Sequence, residues 1–230
     1  MRRLDRSAAA LLLAALVPLL LWDWSGLDIT VARWFGTAQG FAWRDDFWLN
    51  TLGHIGARNL AWVLTLALVL NIWRPWTPGL TRRERVWWLL ATLAAAAVVP
   101  LIKQQSLTSC PWDLSEFGGA AQQISHWLQL GPGGLRDGGG GSCFPSGHAT
   151  SAFAFFSGGF ALRRAYPIAA RRWMSGVLLL GLLLGLIQLA RGAHFPSHTL
   201  WSAWVCFGVN VLLAPWMSAQ RAATQGSLPT

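Results

Sequence analysis

Six apolar runs divide this chain, most of them close to the ~17–25 residues a helix needs to cross the hydrocarbon core of a bilayer. They cover residues 7–23, 54–73, 86–103, 148–162, 173–190 and 197–217, the fourth being the shortest. Lipid offers backbone N–H and C=O groups no partners, so each run is expected to be helical. Charged residues make up only 12% of the sequence, against about 25% in soluble domains. The expectation is therefore an all-α, polytopic membrane protein. Residues 1–218 would form one bundle of six transmembrane helices, and 219–230 a flexible polar tail.

Basic residues outnumber acidic ones 18 to 9, and all but Lys103 are Arg. Their placement between apolar runs points to topology rather than to nucleic acid. One side would carry Arg2, Arg3, Arg6, Arg74, Arg82, Arg83, Arg85, Arg163, Arg164, Arg171, Arg172 and Arg221 in short segments. The positive-inside rule makes that side, and both termini, cytoplasmic. The first run follows Arg2, Arg3 and Arg6 without a convincing cleavage site, so it reads as an uncleaved anchor. Trp22, Trp24, Trp73, Trp76, Trp87, Trp88, Trp173 and Trp216 mark run ends as an interfacial belt does. Two outer loops are long. The first contains Trp34, Phe35, Phe41, Trp43, Phe47 and Trp48 and suits the interface plane. The second contains GPGGLRDGGGGS, which reads as a flexible segment.

Three polar clusters fall at outer run ends. Pro145-Ser146-Gly147-His148 opens the fourth run. A helix start presents unpaired N–H groups and the positive end of its dipole to an anion, with the Ser146 hydroxyl alongside. His148 there can hold a proton for a general acid step, although a helix cap with an interfacial His has the same pattern. His194 and His198 stand four residues apart, one to attack phosphorus and the other to orient it. Arg191 is near enough in sequence to meet the same phosphate. Snorkelling to head groups is the plainer role for Arg191 and for Lys103, which ends the third run.

Taken in order, these clusters resemble the type-2 phosphatidic acid phosphatase family of membrane lipid phosphatases. That family's pattern is K-x6-R-P, then P-S-G-H, then S-R-x5-H-x3-D. Lys103 and Pro111 fit the first block, Pro145 to His148 the second and His194 the third. The resemblance implies that His194 is the nucleophile and forms a phosphohistidine. It also implies that His148 protonates the leaving oxygen, and that Lys103, Ser146 and the Gly147 N–H hold phosphoryl oxygens. It implies no cofactor and no metal. Three positions depart from the pattern: Cys110 and Gln188 stand where the family has Arg, and His198 where it has Asp. Arg191 is then a substitute cation, and His198 the orienting partner of His194. Cys110 and Cys143 flank the second long loop on the outer side, where an oxidising compartment would pair them.

The expected partners are the bilayer and a lipid phosphate, and no nucleic acid. Candidate substrates are polyprenyl diphosphates, glycolipid phosphates, phosphatidate and phosphatidylglycerol phosphate. The expected location is a bacterial inner membrane with the site facing the periplasm. Two rival readings remain open. His148, His194 and His198 supply three imidazoles suited to zinc, and the chain could instead bind lipid phosphate without turnover. Hydrolysis versus transfer, and oligomeric state, are not encoded in any feature above.

Overall fold

The computed structural model describes the backbone of residues 2–225 and the side chains of residues 6–51, 53 and 55–217. Helix α1 (Arg2–Ser25) leads into α2 (Leu27–Ala32), a small hairpin of β1 (Gly36–Thr37) and β2 (Gly40–Phe41), and the single turn α3 (Phe47–Asn50). A π-turn over Thr51–Gly56 precedes α4 (Ala57–Trp73), and α5 spans Arg82–Gln104. A long connection then reaches α6 (Gly147–Phe153), a 3-10 turn at Ala154–Phe156, α7 (Ser157–Leu162), α8 (Pro167–Ala190) and α9 (Pro196–Gln225). The polar tail expected from residue 219 is helical as far as Gln225, and residues 226–230 lie outside the described residues.

Among the described residues, four helices are long and apolar enough to cross a membrane: Arg6–Ser25, Arg82–Gln104, Pro167–Ala190 and Pro196–Met217. The other two apolar runs are helical but shorter. Ala57–Trp73 has 17 residues, and the segment from Gly147 to Leu162 is broken by its 3-10 turn. At 1.5 Å per residue each rises about 25 Å, less than the ~30 Å hydrocarbon core. The broken segment is the centre of the bundle. Ala149, Phe153, Phe156 and Phe160 are buried in one apolar cluster with Trp88, Val99 and Cys206.

Close approach of the helices comes from small residues, as expected where lipid supplies no hydrophobic drive between them. On α8, Gly181 and Gly185 lie one turn apart; a Cβ on the first would overlap Phe153, and on the second Thr199 of α9. Polar and indole groups add cross-helix bonds. Thr92 Oγ1 lies 2.6 Å from Ser157 Oγ, Trp173 Nε1 donates to the Phe155 carbonyl at 2.7 Å, and Trp87 Nε1 donates to that of Leu213 at 3.0 Å. Thr81 and Glu84 form a capping box at the start of α5, and Arg164 reaches Glu84 at 3.5 Å.

A second core caps the bundle at the other end from Thr81. Ile29, Phe41, Leu114, Phe117 and Phe195 gather there from the first loop, the long connection and the start of α9. This corrects two readings of the sequence. The aromatic first loop is divided: Phe41 is buried in that core while Trp34, Trp43, Phe47 and Trp48 stay exposed. The glycine-rich segment does not behave as a free linker. Its Asp137 is buried and accepts hydrogen bonds from Ser109 N and Ser109 Oγ (both 2.8 Å), Gln129 Nε2 (2.9 Å) and Gly139 N (3.0 Å). Burial by itself pushes the Asp137 carboxyl up, but these donors outweigh it and hold it below 3.8. Composition signalled flexibility because it does not register one carboxylate organising the glycines around it.

Candidate active site

At the end of α5, Lys103 is followed by a backbone that pairs on two sides. Leu107 N donates to the Gln129 carbonyl at 2.9 Å, and Ser142 N and Cys143 N donate to those of Ser106 and Thr108, each at 2.8 Å. A disulfide joins Cys110 to Cys143, whose Cα atoms are 5.2 Å apart. The chain then turns through Phe144 and Pro145 into α6, and Ser146 N donates to the His198 carbonyl at 3.1 Å. Ser202 Oγ lies 2.8 Å from the same carbonyl and 2.9 Å from that of Ser146. The start of α6 is thereby clamped to the first turns of α9. Ser197, also in that first turn, is held by Asp28, which accepts from Ser197 N at 3.0 Å and from Ser197 Oγ.

These contacts bring two imidazoles together, their rings tilted by 59°. His148 Nδ1 lies 3.3 Å from His194 Nε2. His194 is 2% exposed, whereas His148 is partly open. Lys103 Nζ stands 3.9 Å from the point a Cβ on Gly147 would occupy, which puts the ammonium beside the start of α6. The Ser146 hydroxyl is buried with no hydrogen-bond partner among the described residues. A buried donor of this kind is costly unless a ligand meets it. Burial, then the neighbouring His198, His148 and Lys103, hold the His194 imidazole well below its ordinary 6.5. That shift favours the neutral ring, the form in which an imidazole nitrogen is nucleophilic. Lys103, Ser146, Gly147, His148 and His194 thus gather at one spot.

Arg191 occupies a different position. Its Nε donates to the Arg44 carbonyl at 3.0 Å and an Nη donates to Gln188 Oε1 at 3.3 Å. The guanidinium therefore folds back beside Gln188, the position at which the family pattern has its Arg. Burial lowers its pKa, while Asp45 and Asp46 act against that shift. His198 is buried in the first turn of α9, and one of its ring nitrogens lies within 4.8 Å of a ring nitrogen of His194. Among the described residues its Nδ1 has no hydrogen-bond partner.

The same 4.8 Å sphere includes Cys143 Sγ, a spacing that suits a metal ion. That sulfur is committed to the disulfide, however, and a disulfide sulfur is not a thiolate ligand. It packs instead 3.6 Å from His194 Nδ1 and 2.9 Å from the Ala193 carbonyl.

A protein-family model described as PAP2 superfamily matches residues 84–222, from the capping box of α5 to the end of α9. The chain belongs to the PAP2 superfamily. Its members are phosphatases and phosphotransferases acting on phosphate esters, and the matched range holds every site residue described so far except Asp28, the Arg44 carbonyl, Asp45 and Asp46. Comparison with curated proteins and with solved structures finds no match. No motif in the sequence marks Asp28 or Arg44, and no Asp or Glu follows Asp137. The available signal was a pair of acids, Asp23 and Asp28, at the end of an apolar run, where a charge needs a partner.

Proposed function

We propose that this PAP2 protein removes, or transfers, the phosphoryl group of a lipid phosphate or diphosphate through a phosphohistidine at His194. The pairing of His148 Nδ1 with His194 Nε2 at 3.3 Å, beside Lys103 and the unpartnered Ser146 hydroxyl, carries the reading. A phosphoryl group entering between the two imidazoles takes the place of their mutual hydrogen bond. His194 Nε2 then attacks phosphorus, the bond from phosphorus to the lipid oxygen breaks, and His148 gives that oxygen its proton. Lys103, Ser146 and the Gly147 N–H hold the other phosphoryl oxygens as charge shifts among them. In the second step His148 takes a proton from water, which attacks phosphorus and frees His194. In transfer, a hydroxyl or phosphate of another lipid replaces the water.

Support for a lipid substrate comes from an apolar cavity of about 960 Å³ among α4, α6, α7 and α8. Its wall includes Leu60, Leu64, Phe155 and Leu184, with Ser151 and Ala152 one turn beyond His148. We read all six apolar runs as spans, the two short ones being accommodated within the bundle. The Arg-rich short segments support a reading with both termini cytoplasmic, and with it a site on the periplasmic side of a bacterial inner membrane.

The test is phosphate release from a panel of lipid phosphates and diphosphates, with and without a chelator. The wild-type chain is expected to release phosphate in both conditions. His194→Ala should lose at least ~10³-fold and form no acid-labile phosphoenzyme. Lipid binding without release would favour a non-catalytic protein, and loss of activity on chelation a zinc enzyme.

A further inference from the structure

At position 198, where the family pattern has an acid, this chain has an imidazole, and a buried carboxylate lies behind it. Asp23, near the end of α1, has Oδ2 3.4 Å from His126 Nε2 and 2.8 Å from Trp201 Nε1, which donates to it. Trp201 is one turn beyond His198 on α9, so the same helix holds both the imidazole and the indole that anchors the acid. The His126 ring is stacked on Phe144 at 4.0 Å, and His198 meets that pair edge-on, 6.4 Å from His126 and 5.3 Å from Phe144 between ring centroids. Asp23 is 2% exposed at its side chain and His126 9%. Among the described residues, Asp23 Oδ1 and His198 Nδ1 are buried without a hydrogen-bond partner, and His126 Nε2 has none beyond its 3.4 Å approach to Asp23. Such a cluster of under-satisfied atoms around one pair of imidazoles is not expected of a merely packed core.

We propose that Asp23 and His126 are positioning residues for His194, acting through His198. The carboxylate that the motif lacks at 198 is supplied from α1, outside the matched range, by the series Asp23, His126, His198, His194. This inference rests on the phosphohistidine reading for its catalytic meaning. As His194 attacks, positive charge develops on its ring, and a carboxylate behind the imidazoles stabilises that charge and fixes their orientation. No proton need travel the length of the series. The other candidate acid, Asp28, is committed to the cap of α9 through Ser197.

Turnover and ring state are read separately on the full chain in detergent micelles. Asp23→Asn, which keeps the shape of the side chain and its contact with Trp201, should lower kcat by about tenfold at little change in KM. Placing an acid next to the nucleophile with His198→Asp should shrink that loss to under about threefold. An equal loss in both backgrounds would overturn the inference, since a purely structural role for Asp23 is blind to residue 198. Nitrogen-15 spectra of the imidazoles need no substrate. Asp23→Asn should shift the signals of both His126 and His198, and an unshifted His198 would overturn the inference whether or not the chain turns over. A wild-type chain with no phosphate release but coupled His126 and His198 signals would instead refute the phosphatase reading alone.

Discussion

Residues 84–222, which match the family model, and residues 1–83, which precede it, contribute to the site in different ways. The matched part holds the groups that gather at the candidate site: Lys103, Ser146, Gly147, His148 and His194. The preceding part holds those groups in place. Asp28 caps α9 through Ser197, the Arg44 carbonyl holds Arg191, Phe41 packs on the turn at Gly192, and Asp23 stands behind His126. Reactive groups can be read from a motif because chemistry restricts their type. Supporting groups can come from anywhere in the chain that the fold brings close, so their positions follow no pattern.

The largest expected effect lies inside the matched part. The disulfide between Cys110 and Cys143 spans 33 residues and joins the segment after Lys103 to the segment before Ser146. Removing it with Cys143→Ser should cost about 3–4 kcal/mol by chain entropy. Thermal unfolding in detergent should show the loss, and a reductant should reproduce it in the wild type but not in the variant. An unchanged midpoint would mean that the two segments are held by their backbone pairing alone.

The next prediction tests the joint between the two parts. Gly192 has φ +74°, and a Cβ there would overlap the ring of Phe41. Gly192→Ala should cost about 1–3 kcal/mol and loosen the first loop from the site. Hydrogen exchange should rise over residues 36–44 and 189–195. If exchange rises only in the second segment, the first loop is held independently of it.

A smaller effect is expected within the long connection. The Asp137 carboxyl is held below 3.8 in the folded chain, so it contributes stability that is fully present above that value. The contribution should be lost as pH falls through the lower, folded value. Limited proteolysis of residues 129–143 should therefore quicken below about pH 3.8, the reference value. Asp137→Asn should already be quicker at pH 7, by the about 1–3 kcal/mol of its charge-assisted bonds, and show less dependence on pH.

Much of this site was legible before folding. Lys103, Ser146, His148 and His194 announce themselves because a polar group at the end of an apolar run has few inexpensive positions. The apolar runs likewise reveal a helical membrane protein, since lipid leaves the backbone no other solution. The limits of that reading appear at Ala57–Trp73 and at the broken segment around Ala154. Around Ala154 neighbouring helices bury the apolar residues, whereas Leu60, Trp62, Val63 and Leu66 of the 17-residue helix stay exposed, so hydropathy by itself does not separate a full crossing from a short helix. Gln188 and Arg191 show another limit. A one-dimensional pattern records the Arg as displaced by three residues, whereas the helix turn brings its guanidinium back beside Gln188.

The sequence by itself therefore determined the helical class, the polar ends of the runs and the family pattern of residues at those ends. Each depends on the local cost of placing a side chain in lipid or of doing phosphoryl chemistry. Only the tertiary structure decided which carboxylates lie beside the residues of the site and that the glycine-rich segment is ordered around Asp137. It alone also showed that the Cys143 sulfur lies against His194. Those depend on contacts between residues far apart in the chain, and no local pattern records them.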